Sequence, residues 1–174
     1  MDITDDDLLL ERQLCFGLSV ASRSVIAAYK PVLAKLHLTH PQYLVMLALW
    51  ELAPRRVKDL GQVLLLEPAT LSPLLKRLEV LGYVSREKDS HDERALAVDL
   101  TAAGAALREQ ARAVPGTMMA KLRLDRGSAM ELHRRMMDLI EAAANTEAPS
   151  TALNGIATNG GATNDTTLQD MADN

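Results

Sequence analysis

Cys15 is the only cysteine in a chain of 174 residues, so its thiol has no possible partner within the chain. A lone cysteine closes no intrachain disulfide, and by itself it cannot supply the ligands of a tetrahedral zinc site. Two interpretations stay open. A free cysteine often packs as a small hydrophobic residue, or it is kept as a reactive group whose thiolate is a nucleophile. The elements around Cys15 show which chemistry the chain can support.

The composition favours packed helices. Apolar residues make up 48% of the chain and aromatic residues only 3%, a balance that suits helix-on-helix packing better than a β-sandwich. No apolar run approaches the roughly 20 residues that span a bilayer. The start of the chain, with Asp2 and three aspartates at 5–7, is acidic where a signal peptide would be basic. We therefore expect a cytoplasmic protein with no membrane partner.

Charge is distributed unevenly along the chain. The formal net charge is −4, but residues 1–10 alone carry four acidic side chains and no basic one, and so do residues 147–174. Segment 11–146 is therefore mildly basic, with a net charge of +4. Such a segment permits a polyanionic partner without requiring one.

The amino-terminal third predicts two helices. Thr4, followed by three aspartates, is typical of a helix start, because carboxylates in the first turn complement the helix dipole. We expect this helix to continue to about Leu36 with a kink or break at Pro31. A second, apolar helix begins at Pro41 and includes Trp50.

The middle of the chain changes its hydrophobic period. In the predicted helix 68–81 all five leucines fall on one stripe, and Gly82 is a suitable stop. Beyond it, apolar residues alternate as in strands, on both sides of a polar loop at 89–94. Two helices followed by a hairpin are the outline of a winged helix-turn-helix. The elements of this outline are helices 57–64 and 68–81 and strand segments 83–88 and 96–100.

Thr101 predicts the start of another helix, interrupted at Pro115-Gly116, and a last helix runs from about 125 to 144. The predicted fold class is mainly α with a small β-hairpin, a winged helix-turn-helix domain plus terminal dimerisation helices. The predicted domains are 1–40, a dimerisation helix with Cys15; 41–100, the winged helix-turn-helix; 101–146, further dimerisation helices; and 147–174, a polar tail that we expect to be disordered.

Polar residues off the leucine stripe predict a DNA-reading surface. Lys76 and Arg77 can reach phosphates or guanine edges in a major groove, and Arg94 can reach a neighbouring minor groove. The alternative is an ordinary solvated helix and hairpin. Local charge does not decide, because residues 54–94 carry eight Lys or Arg against seven Asp or Glu. The arrangement of the elements carries the hypothesis.

Specific motifs resemble a known family. Asp92-Glu93-Arg94-Ala95-Leu96-Ala97-Val98-Asp99-Leu100-Thr101, followed by Gly104, resembles the wing signature of MarR-type repressors. Over about residues 10–145 the chain is similar to the OhrR branch, the organic hydroperoxide-sensing repressors. The motifs that carry this similarity are Leu14-Cys15-Phe16, Ser22-Arg23, Tyr29-Lys30-Pro31, Leu36, Pro41-Gln42-Tyr43-Leu44, Leu49-Trp50-Glu51, Leu75-Lys76-Arg77 and Val114-Pro115-Gly116-Thr117.

The resemblance implies that Cys15 is the peroxide sensor. A thiolate that attacks the O–O bond of a peroxide becomes a sulfenic acid, which can condense with another thiol. With one cysteine, the chain resembles the subtype in which a low-molecular-weight thiol forms the mixed disulfide; pairing of Cys15 with the same residue of a second subunit stays open. The implied partners are organic hydroperoxides, a second copy of the chain and a double-stranded, pseudo-palindromic operator. No cofactor, metal or enzymatic activity is expected.

The family also places tyrosines around its sensor, and this chain agrees only in part. Tyr29 matches, but about 21 Å of helix separates it from Cys15, so contact requires a second subunit. The other two expected tyrosine positions hold Ser19 and His40. Ser19 donates a hydroxyl or is merely a small packing residue. His40 hydrogen-bonds to the sensor as a neutral imidazole, favours its thiolate as an imidazolium, or is an ordinary surface histidine.

The DNA contacts that the resemblance implies are Thr70, Ser72, Lys76, Arg77 and Arg94. For Asp92 we expect support of the wing through an ion pair with Arg94, because a carboxylate near phosphates is unfavourable.

Three other functions compete with this hypothesis. A MarR-type repressor released by a small phenolic or other ligand would use Cys15 only structurally. A thiol peroxidase would turn over peroxide with a simple thiol reductant. An architectural DNA-binding protein would show steep salt dependence and little preference between operator and random DNA.

Overall fold

The structure is a computed structural model that describes residues 5–89 and 95–147. It is mainly helical with a small antiparallel sheet, which confirms the predicted fold class. The helices are α1 Leu14–Leu33, α2 His40–Glu51, α3 Val57–Leu64, α4 Pro68–Val80, α5 Ala102–Ala111, α6 Ala113–Leu122 and α7 Arg126–Glu147. The strands are β1 Arg55–Arg56, β2 Val84–Lys88 and β3 Leu96–Leu100, and short 3₁₀ turns cover Asp5–Leu8, Leu10–Arg12 and Ala34–Leu36.

The amino-terminal helix differs from the prediction at both ends. Two 3₁₀ turns precede it, Gln13 is extended, and α1 begins only at Leu14. The acidic run thus does not nucleate one long helix; Thr4 lies outside the described residues. Pro31 does not break α1 either. A proline removes a single helical hydrogen bond, and burial of Leu33 in the core holds the last turn in place.

The sheet contains the predicted hairpin and one strand that the prediction lacked. Strands β2 and β3 pair in register from Val84 opposite Leu100 to Lys88 opposite Leu96. Strand β1 pairs with the other edge of β3, so β3 lies in the middle of the order β1-β3-β2. Two residues are too few to produce an alternating pattern, so the sequence gives no signal for β1.

The core of the first compact unit, which ends at Asp125, is formed by α2, α4 and the sheet together with buried residues of α1, α3, α5 and α6. Leu71, Leu75 and Leu78 of α4 are fully buried, as the leucine stripe predicted. Leu81 is an exception, because α4 ends at Val80 and the side chain is exposed. Gly82 then turns the chain with a φ of +75°, a conformation that glycine adopts without strain.

A close backbone approach joins the sheet to α5. The Thr101 hydroxyl accepts a hydrogen bond from the Gly104 N–H at 3.0 Å and donates one to the Gly82 carbonyl at 2.6 Å. The Trp50 indole N–H donates to the Gly104 carbonyl at 2.9 Å in a buried position. A Cβ on Gly104 would lie 1.9 Å from the Tyr83 carbonyl oxygen, so only glycine fits here.

The carboxyl-terminal helices correct one further prediction. The break expected at Pro115-Gly116 lies earlier, at Arg112, and Pro115 stands in the first turn of α6. A proline is tolerated there because first-turn N–H groups have no helical acceptor. Helix α7 begins a second unit at Arg126 and extends three residues beyond the predicted end at 144. Within the described ranges, no helix is both long enough and apolar enough to cross a membrane.

Replacing Gly104 by alanine should destabilise the protein by about 3 kcal/mol or more, because the added methyl group meets backbone that cannot move aside. Chemical denaturation monitored by circular dichroism measures the loss. Gly116→Ala is the matched control, because its added Cβ has nothing within 4 Å in the chain; it should leave stability unchanged or raise it by about 0.5–1 kcal/mol. Equal stability of the two variants would contradict the close approach.

Candidate nucleic-acid interface and thiol site

A tight turn sets the angle between α3 and α4. Leu65 adopts a left-handed conformation with φ 52°, and the Leu66 N–H donates to the Gly61 carbonyl at 2.9 Å. This bond closes the end of α3 and directs the chain at once into Pro68, the first residue of α4. The two helices are therefore a helix-turn-helix with little freedom at the connection.

Helix α4 presents a polar face opposite its buried leucines. Thr70, Ser72, Lys76 and Arg77, the four residues predicted to contact DNA from this helix, are all exposed in the structure. Pro73 lies within the helix without ending it. An exposed helix with this width and polarity can enter a major groove, while the leucines on its other side fix it to the core.

The two predicted wing residues, Asp92 and Arg94, lie outside the described residues. The hairpin that leads to them is described, and two ion pairs hold its first strand. Arg86 of β2 donates from Nε to the Glu79 carboxylate at the end of α4, 3.1 Å away, and its second nitrogen contacts the same oxygen. Because of these hydrogen bonds, the pKa of Glu79 is lowered and the pKa of Arg86 is raised. The pair connects α4 directly to the first strand of the hairpin.

The second pair joins Arg56, at the start of α3, to Asp89, directly after β2. The Arg56 guanidinium donates to both carboxylate oxygens of Asp89, at 3.1 and 2.8 Å. This two-pronged geometry is stronger and more directional than a single contact. Sequence reasoning did not find this pair, because nothing local relates two residues 33 positions apart.

Cys15 is exposed and stands second in α1. Cys15 lies in the first turn because α1 begins at Leu14. The sequence analysis placed the start of this helix near Thr4, about three turns earlier, and so did not predict this position. Free N–H groups and the positive end of the helix dipole favour negative charge in a first helical turn. Ser19, one turn further along, is also exposed. An accessible thiol here can meet a small oxidant.

The structure brings two of the predicted sensor residues together. The rings of Tyr29 and His40 meet edge to face with centroids 5.2 Å apart, and Tyr43 packs beside Tyr29 at 6.2 Å. Partial burial lowers the pKa of His40, which favours the neutral form of its imidazole. Burial and then the neighbouring Tyr29 raise the pKa of Tyr43. Tyr43, one helical turn after His40, was not among the predicted sensor residues.

Cys15 is not part of this cluster within one chain, because it lies near the opposite end of α1 from Tyr29. The expectation that the two need a second subunit to meet agrees with this geometry. Among the residues described, no group of three or more His, Cys, Asp or Glu side chains could hold a metal ion.

A helix-turn-helix joined to a three-stranded wing, with an exposed polar second helix, defines the class of winged-helix transcriptional regulators. Comparison with known proteins agrees. The family described as transcriptional regulator SarA/Rot matches residues 27–110. The organic hydroperoxide resistance transcriptional regulator of Bacillus subtilis is 40% identical over 136 residues, which cover 78% of this chain and 92% of that protein.

Solved structures of AbfR from Staphylococcus epidermidis are also similar. Reduced AbfR bound to DNA matches with a TM-score of 0.68 and 30% identity over 82% of this chain and 99% of that one. Disulfide-formed AbfR matches with a TM-score of 0.58 and 31% identity over 81% and 94% of the two chains. The protein belongs to the MarR family of transcriptional regulators, within the branch of the organic hydroperoxide regulators.

The Glu79–Arg86 pair should make stability depend on pH in a defined direction. Its contribution is complete above the ordinary carboxylate range and is lost as pH falls through the lowered pKa of Glu79. Wild-type protein should therefore unfold at higher denaturant concentration than Glu79→Gln at neutral pH, with the difference closing in acid. Arg86→Gln removes the same pair from its other side and should show the same trend. A difference that persists unchanged at the acid end would contradict the ion pair as its source.

Proposed function

We propose that this protein is a homodimeric, cytoplasmic repressor that binds operator DNA, senses organic hydroperoxides through Cys15 and then releases the operator. The observation that carries the proposal is the exposed lone thiol in the first turn of α1. It supports a reactive role over inert packing, because a cysteine used as a core residue is normally buried. The 40% identity to a regulator of organic hydroperoxide resistance supports the same oxidant class.

DNA binding is supported by the polar face of α4 and by the similarity to AbfR, which was solved on DNA. In the proposed complex α4 lies in the major groove. Lys76 and Arg77 contact phosphates or guanine edges, and Thr70 and Ser72 bind nearby groups through their hydroxyls. Arg94, supported by Asp92, would enter the adjacent minor groove.

Dimerisation is supported by large apolar side chains that remain exposed on the terminal helices. Exposed large apolar side chains in this number normally mark an interface. In α1 these side chains are Leu14, Phe16, Leu18, Val20 and Ile26, and in α7 they are Met130, Leu132, Met136, Met137, Leu139 and Ile140. A second copy running in the opposite direction would cover them. It would also bring Tyr29 and His40 of the partner subunit towards Cys15.

The sensing step is the attack of the Cys15 thiolate on the terminal oxygen of the hydroperoxide. A sulfur–oxygen bond forms, the peroxide bond breaks, and the alkoxide leaves as an alcohol after taking a proton. A low-molecular-weight thiol then displaces the hydroxyl of the sulfenic acid as water and leaves a mixed disulfide. Ser19 and neutral His40 would hydrogen-bond around the sulfur, in the positions where the family has tyrosines. The bulky adduct would favour a dimer whose reading helices no longer match the operator.

Replacing Cys15 by serine should leave operator binding intact and abolish its loss on oxidation. Electrophoretic mobility shifts on the protein's own upstream DNA, titrated with cumene hydroperoxide and a small thiol, provide the measurement. Wild-type protein should release DNA near stoichiometric peroxide, because one thiol is consumed per subunit. Release by the serine variant as well would return Cys15 to a structural role and favour a ligand-released repressor. Many turnovers of peroxide without DNA binding would identify a thiol peroxidase.

Lys76→Ala should weaken operator binding and reduce the salt slope of the binding constant by about two ions per dimer, because one phosphate contact is removed from each subunit. Fluorescence anisotropy over a range of salt concentrations measures both quantities. Lys121→Ala, which removes an exposed lysine at the end of α6, is the control and should change neither. An unchanged slope for Lys76→Ala would exclude that phosphate contact.

A further inference from the structure

The Arg56–Asp89 ion pair spans the whole width of the sheet. Arg56 belongs to β1 and Asp89 follows β2, and these two strands are the opposite edges of the order β1-β3-β2. Two strand spacings amount to about 9–10 Å, so the arginine side chain must cross over β3 to reach the carboxylate. It does so with both of its contacts formed, at 3.1 and 2.8 Å.

A small residue on β3 leaves the space for this crossing. Ala97 lies in register with both Arg56 and Glu87, so the three side chains share one face of the sheet. Asp89, two residues after Glu87, returns to that same face. A methyl group at position 97 allows the guanidinium to pass above the middle strand, where a larger side chain would occupy its path. Asp89 itself is shielded, with a side chain only 14% exposed.

Asp89 also closes the base of the wing loop. Its N–H donates to the Ala95 carbonyl at 2.9 Å, which extends the β2–β3 ladder by one bond beyond Lys88. One residue is thus fixed through its backbone to the returning strand and through its carboxylate to the start of α3. Residues 90–94, which include Arg94, connect the two ends of this closed base.

We infer that Arg56 and Asp89 are positioning residues for the wing: the pair anchors the base of the loop to the first helix of the helix-turn-helix, and so fixes where Arg94 can reach relative to α4. This rests on the proposed DNA-binding function. A loop held in place before binding loses less conformational freedom in the complex, so the anchor raises affinity without touching DNA.

Asp89→Asn tests the inference, because the loss of a negative charge and the loss of the anchor predict opposite changes in DNA affinity. Removing a carboxylate from a DNA-binding face should tighten binding if only electrostatics matters. Loss of the anchor should instead weaken binding to an operator with A·T-rich flanks about tenfold, which corresponds to about 1.4 kcal/mol. On a duplex trimmed to the two major-groove half-sites, the variant and wild type should bind alike. Tighter binding, or an equal loss on both duplexes, would overturn the inference.

Three further variants separate the anchor from general damage. Ala97→Val leaves both charges in place and obstructs the crossing, so it should reproduce the flank-specific loss. The double variant Arg56→Asp with Asp89→Arg restores an ion pair with the two charges swapped, and it should recover part of the lost affinity. Glu51→Gln removes a carboxylate from a pair with Arg55 that does not cross the sheet, and it should not weaken binding. If Ala97→Val does not lower the affinity for DNA, the crossing of Arg56 over β3 is not what positions the wing.

Amide hydrogen exchange tests the anchor without DNA. In Arg56→Gln the Asp89 N–H should exchange at least several-fold faster than in wild type, while the amides of Leu71 and Leu75 in the core keep their protection. If wild-type protein binds no operator, the proposed function fails, and exchange alone decides whether the pair holds the wing base. Unchanged exchange at Asp89 would overturn the inference even if DNA binding is confirmed.

Discussion

The hydrogen bond from the Trp50 indole to the Gly104 carbonyl, made where α5 touches the backbone of Tyr83, is the contact on which the rest of this structure depends. It exists only because position 104 has no side chain. Thr101 closes the same junction through Gly82 and Gly104. Thr101 directly follows β3 and precedes α5. The same packing contacts therefore fix the positions of both the wing and α5.

Aromatic contacts extend from this junction to α1. The Trp50 ring meets Tyr43 edge to face at 6.3 Å, and Tyr43 in turn packs against Tyr29, which contacts His40. These ring contacts form a continuous path from Trp50 to Tyr29 in α1. A displacement of α1 at Tyr29 would therefore reach Trp50 through two ring contacts.

The sequence was sufficient where one periodic signal dominated. The leucine stripe located α4 and its polar face, and alternation located β2 and β3, because burial of one face decides both patterns. The prediction was wrong where local signals competed with packing. Pro31 lies inside α1 and Pro115 lies in the first turn of α6. The aspartates after Thr4 are not part of α1, which begins only at Leu14. The contacts of Tyr29 with His40 and of Arg56 with Asp89 depend on how distant elements meet, so no local pattern contains them.

Trp50 is the only tryptophan in the chain, and it lies at the junction of the winged helix with α5. Its indole is 7% exposed, bonded through its N–H and bordered by a tyrosine ring. The emission wavelength of an indole shifts when its polarity and hydrogen bonding change. The protein therefore contains an intrinsic optical reporter at the junction, and its fluorescence can follow a change in the packing there in real time, without an attached dye.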